Sequence, residues 1–165
     1  MKKIYFLRHA TAVPRGAPGY PDDDRPLTDK GIDKFARSVK GIICLVDSFD
    51  AIVTSPLKRA SETAAFLARE MNIEGRLDVT GHLLPRTNLS RLLAYLAKYR
   101  NAERILLVGH EPDLSSIISR IAGSPNAVVT MKKGALCRLD VDAIPPRKPG
   151  RIVWLLQPKI LRKLG

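Results

Sequence analysis

Ile4-Tyr5-Phe6-Leu7-Arg8-His9 and Ile105-Leu106-Leu107-Val108-Gly109-His110 are the two stretches that decide the fold. Each is an apolar run of the length of one buried strand, and each ends on a histidine. A strand that is apolar at every position is covered on both faces, as in a parallel sheet between helices. In open sheets of that kind, ligands bind outside the carboxyl ends of the strands. Both histidines are therefore expected at one edge. A third short strand, Ala51-Ile52-Val53, runs into Thr54-Ser55-Pro56-Leu57-Lys58-Arg59 and delivers an arginine to the first turn of a helix.

Outward from these stretches, strand and helix alternate. Residues 3–8 read as the first strand, and residues 10–27 as a loop rich in Pro, Gly and Asp. Thr28 is an N-cap for a helix reaching Val46, with Ile32, Phe35, Ala36, Val39, Ile43 and Val46 on its inner face. Residues 50–54 form the second strand. Ser55 reads as the cap of the next helix and Pro56 as its first residue, with Leu57, Ala60, Ala64, Leu67 and Met71 as the apolar stripe. A short strand is expected over 76–80, a helix over 89–99 and a strand over 104–109. A further helix, opened by Pro112, turns Leu114, Ile117, Ile118 and Ile121 inward. The rhythm then changes. Residues 134–141 and 151–157 read as two strands joined by a Pro-rich loop, and with no helix between them they are expected to be antiparallel. The fold class is α/β, with three layers: a mainly parallel central sheet with an antiparallel strand, and helices on both faces. Residues 1–165 are expected to form one domain without a large lid.

Hydrophobic residues make up 45% of the chain and charged residues 27%, the balance of an ordinary globule. No run approaches the roughly 20 apolar residues of a membrane helix. The apolar stretch after Lys2-Lys3 is too short for a signal-peptide core, so the cytoplasm is the expected location. Cys44 and Cys137 make neither a disulfide framework nor a zinc pattern and read as two buried thiols. The net charge of +12 attracts anions of several kinds. The basic residues are spread along the chain without the aromatic interleaving of single-strand binders, so most of that charge reads as solvated surface and no nucleic-acid partner is expected.

His9 is the candidate nucleophile, since a neutral imidazole can attack phosphorus and split one transfer into two easier steps. Cationic neighbours Arg8 and Arg59 would keep it unprotonated. Their planar forks suit the oxygens of a transferring phosphoryl group. His110 would donate a hydrogen bond to those oxygens. Arg59 sits unfavourably at a helix start, and Glu62 one turn on is positioned to compensate it. Asp22-Asp23-Asp24 reads as a solvated acidic turn, steering a basic partner or pairing with Arg25, rather than a metal cluster. Glu111 reads as a helix-start carboxylate.

Together these residues resemble a known family. Leu7-Arg8-His9-Ala10, Ser55-Pro56-Leu57-Lys58-Arg59-Ala60-Ser61-Glu62-Thr63-Ala64 and Val108-Gly109-His110-Glu111-Pro112 are similar to motifs of the histidine phosphatase superfamily, the phosphoglycerate mutase-like fold. Arg25-Pro26-Leu27-Thr28-Asp29-Lys30-Gly31 and Trp154-Leu155-Leu156-Gln157-Pro158 match further family patterns, so the resemblance spans essentially the whole chain. The branch it most resembles is the short SixA-type phosphohistidine phosphatases. The resemblance implies that His9 is phosphorylated, that Arg8, Arg59 and His110 form the phosphate pocket, and that no metal or cofactor is needed.

Two departures stand out. Ala10 replaces the usual glycine after the histidine. Larger family members carry an acidic proton donor after the third strand; the stretch Thr80-Gly81-His82-Leu83-Leu84-Pro85 has no carboxylate, and His82 takes its place. It is a candidate to donate a proton, to contact phosphate, or to pack against the loop. Thr11 is a further candidate phosphate contact. A missing carboxylate suits a phosphohistidine substrate, because imidazole, with a reference pKa of about 6.5, leaves far more readily than an alkoxide. The expected activity is that of a metal-independent phosphohistidine phosphatase, and the expected partner is a phosphohistidine-bearing protein such as a histidine phosphotransfer domain. The alternatives are a broad small-molecule phosphomonoesterase and a non-catalytic phosphoprotein-binding module.

Overall fold

A computed structural model describes residues 1–165. Six strands, β1 (Lys2–Arg8), β2 (Ala51–Thr54), β3 (Leu77–Val79), β4 (Arg104–Gly109), β5 (Leu136–Val141) and β6 (Arg151–Leu156), form one sheet in the order β3-β2-β4-β1-β5-β6. The pairings β1–β4, β2–β4 and β2–β3 are parallel. β5 runs antiparallel to both β1 and β6 and is inserted between them. Five helices complete the fold: α1 (Asp29–Leu45), α2 (Lys58–Glu70), α3 (Leu89–Leu96), α4 (Asp113–Ile121) and α5 (Pro158–Leu164). None is long and apolar enough to cross a membrane.

Alternation along the central strands creates two cores. Tyr5, Leu7, Ile52, Leu106 and Val108 face α1, α2 and α5, packing with Phe35, Val39, Leu67 and Leu161. Ile4, Phe6, Val53, Ile105 and Leu107 face α3 and α4, packing with Leu92, Leu96, Leu114 and Ile118. Both faces of β1 and β4 are thus covered, which is why their sequences are apolar without interruption.

Three expectations need correction. The inner face of α1 is formed by Phe35, Val39, Ile42 and Val46, while Ile32 and Ile43 are exposed. Gly31, Ser38 and Gly41 also lie on that buried face. These small residues let other backbone come close, and a count of apolar side chains does not register them. Ser55 does not cap α2: Leu57 is the N-cap, and Ser55 and Pro56 precede the helix. Cys44 is exposed, and only Cys137 is buried. Residues 158–164, for which no helix was expected, form α5, which packs along α1. It is two turns long with one fully buried side chain, Leu161, too little periodicity to recognise.

Candidate active site

Strand register brings the site together. Arg8 on β1 pairs with Gly109 on β4, so His9 and His110 leave the sheet side by side. The His9 N–H donates to the Gly109 carbonyl at 3.1 Å, and the two imidazole centroids lie 5.2 Å apart. The Ser55 N–H donates to the Val108 carbonyl at 3.1 Å, anchoring the segment that carries Arg59 at the same edge. Thr63 on α2 accepts the Ala10 N–H at 3.0 Å and donates to the Arg59 carbonyl at 2.6 Å, tying the turn after His9 to the helix of Arg59.

His9 is buried, and its Nδ1 lies 2.7 Å from the Ala10 carbonyl oxygen. A carbonyl only accepts, so the proton sits on Nδ1 and Nε2 keeps its lone pair. Burial is the leading cause that pushes the His9 pKa down to about 3; the Ala10 bond opposes it, and His110, Arg59 and Arg8 reinforce it. The arginines therefore assist, with desolvation ahead of them. His110 is likewise pushed down to about 4, by burial first and then by Arg59.

Ser55 Oγ lies 2.9 Å from His110 Nε2 and accepts the Leu57 N–H at 3.3 Å. With that acceptance made, the Ser55 hydroxyl proton is available for Nε2, which leaves the His110 proton on Nδ1. The sequence reading missed this partner, because a serine before a proline and a helix reads first as a cap.

Arg8 donates to the Met131 carbonyl at 2.8 Å, and Arg59 donates to the Asp22 carbonyl at 2.8 Å. The carboxylate beside Arg59 belongs to Asp22, 3.7 Å away, and not to Glu62, whose Oε2 instead accepts the Leu27 N–H at 2.7 Å. Asp22 also pairs with Arg15 and Arg25, both at 3.0 Å, so the acidic turn organises three arginines. Three buried side-chain nitrogens have no hydrogen-bond partner: Arg8 Nε, Arg59 Nε and His110 Nδ1. Buried polar groups are nearly always paired. Here the orphans belong to the three residues expected to bind phosphate, around the one expected to attack it.

The remaining candidates make other contacts. Thr11 is exposed, and its carbonyl accepts the Thr28 N–H. The His82 ring packs against Tyr95 with centroids 5.1 Å apart, in a depression shared with Arg86, Asn88 and Arg91. No hydrogen bond or ring contact joins it to His9 or His110. Glu111 accepts from the backbone N–H and hydroxyl of Ser115, serving the start of α4.

Two histidines and two arginines thus meet at the carboxyl edge of an α/β sheet. Residues 4–80 match the model of the histidine phosphatase superfamily (branch 1). An uncharacterized protein of Picosynechococcus sp. (strain ATCC 27264 / PCC 7002 / PR-6) is 34% identical over 96% of this chain and 98% of its own. The protein histidine phosphatase SixA, solved with tungstate, superposes with a TM-score of 0.79 at 21% identity, covering 96% of this chain and 99% of that one. A putative phosphohistidine phosphatase SixA from Agrobacterium tumefaciens gives 0.75 at 21% identity, covering 94% and 97%. A putative alpha-ribazole-5'-P phosphatase from Escherichia coli gives 0.75 at 18% identity, covering 96% and 98%. The chain belongs to the histidine phosphatase superfamily and is a phosphatase by class.

Proposed function

We propose that this protein is a metal-independent phosphohistidine protein phosphatase that works through a phosphorylated His9. The observation that carries this reading is the set of three unpartnered buried nitrogens, Arg8 Nε, Arg59 Nε and His110 Nδ1, around a neutral His9. The His9 Nε2 lone pair attacks the phosphorus of a substrate phosphohistidine, forming the new N–P bond as the substrate's own N–P bond breaks. Arg8, Arg59 and His110 hold the three equatorial oxygens, the arginines supplying the positive charge. Water then attacks phospho-His9. Its oxygen joins phosphorus, the N–P bond to His9 breaks, and inorganic phosphate leaves with one of the water's protons, the other balancing the proton that the displaced substrate imidazole takes up.

A single domain with no large lid leaves this edge open to a side chain presented by another folded protein, such as a histidine phosphotransfer domain. The likeness to SixA structures supports that substrate class. The free cysteines are compatible with the reducing cytoplasm. A second reading, a small-molecule phosphomonoesterase, is favoured by the likeness to the alpha-ribazole-5'-P phosphatase, at a TM-score of 0.75, and would need a donor such as His82 for an alkoxide leaving group.

The test is phosphate release from a phosphohistidine-bearing protein by wild type and His9→Ala, with chelator present. Release by wild type alone, unaffected by chelator, is expected. Rapid hydrolysis of alkyl phosphates with none of phosphohistidine would replace the reading with the second one.

A further inference from the structure

Beside the phosphate pocket lies a crevice of about 190 Å³ whose wall begins one residue after His9, at Ala10 and Thr11. Its other side is the turn at Lys133 and Gly134, and the Gly134 N–H donates to the carbonyls of Arg8 at 3.0 Å and His9 at 3.2 Å. The crevice is therefore fixed in place relative to the nucleophile by backbone hydrogen bonds. Three elements each send one cation to it: Lys34 from α1, Lys133 from the turn before β5, and Arg162 from α5. No aspartate or glutamate lines it, and none of the three cations forms an ion pair within the chain. By contrast, the arginines at Asp22 and the lysine at Asp78 are paired. The Lys133 ammonium is lowered by partial burial and by Arg8, Arg25 and Arg59, so it stands in the same field as the phosphate pocket.

We propose that this crevice is a second anion site, which receives an aspartate or glutamate side chain lying next to the phosphohistidine on the protein substrate. The proposal rests on the phosphohistidine reading and adds to it a sequence preference. Two anchor points on one rigid edge would also set the orientation in which the phosphohistidine enters, with the carboxylate met on the α1–α5 side of His9.

The test uses two peptides, each bearing a non-hydrolysable phosphonate mimic of phosphohistidine, one flanked by acidic residues and the other by alanines. Binding is measured by calorimetry to wild type, to a Lys34→Ala/Arg162→Ala variant and to Lys133→Ala alone. Wild type is expected to favour the acidic peptide by roughly three- to tenfold, the range of two or three exposed ion pairs. The double variant loses that preference, Lys133→Ala weakens it, and both keep phosphoramidate hydrolysis, which needs no flanking residue. Equal affinity of wild type for the two peptides, or a preference that survives in the variants, overturns the proposal. If wild type hydrolyses neither phosphoramidate nor a phosphohistidine protein, the phosphatase reading falls, whichever way the peptides divide.

Discussion

The His9 ring is neutral because it lies out of water, and the Ala10 carbonyl, by accepting from Nδ1, leaves the lone pair on Nε2. Burial acts on His110 in the same direction. At neutral pH one ring can attack and the other can donate, with no proton to remove first. NMR titration should therefore find both rings neutral from pH 8 down to about pH 5, against a reference value of about 6.5. A ring titrating near 6.5 would contradict the burial described. The same shifts bear on stability. Both folded values lie below the unfolded one, so these histidines contribute fully above about pH 6.5. That contribution is lost as pH falls toward about 4 for His110 and about 3 for His9, where the folded state also protonates.

Two elements hold the site from a distance. The Gln157 side chain, at the end of β6, accepts the Lys132 N–H at 3.0 Å and donates to the Thr130 carbonyl at 2.7 Å. It thereby clamps both neighbours of Met131, whose carbonyl holds Arg8. Gln157→Ala should loosen Arg8 and raise KM roughly five- to tenfold, the loss of about 1 kcal/mol of net hydrogen bonding, with kcat little changed. Gln157→Glu, which keeps the acceptor, should recover part of the loss; equal falls in kcat and kcat/KM would assign the residue a different role. The packing of α5 on α1 depends on Gly41, where an added Cβ would run into the Leu161 carbonyl. Gly41→Ala is expected to cost about 1–3 kcal/mol, read as a lower Tm. An unchanged Tm would mean that α5 can shift aside. Gln157 lies in a stretch with a family-like pattern, but its partners, like the role of a glycine inside a helix, come from what the fold places against it.

Across the whole molecule the net charge of +12 sets a field that favours anionic substrates. Raising salt from about 0.01 M to about 0.15 M shortens the screening length from about 30 Å to about 8 Å. kcat/KM for a phosphorylated acidic protein should fall several-fold over that range and for phosphoramidate much less. Equal salt dependence would mean that only the local pocket is felt. The succession of strands and helices along the chain, the apolar faces of α2 and α4, and the arrival of Arg8, His9, Arg59 and His110 at strand ends and a helix start were legible in the sequence. Uninterrupted apolar runs, capping residues and charged groups at strand ends are local patterns, each with a local physical cause. Other features depend on which backbone meets which side chain across the fold. The parallel register of β1 on β4 sets two histidines 5.2 Å apart. The Ser55 hydroxyl meets His110 rather than the start of α2, and Asp22 reaches Arg59 across a loop. Small residues on α1 admit α5. Local sequence sets propensity and polarity over a few residues, whereas contacts between distant segments are fixed only when the two cores close, and that closure decided these features.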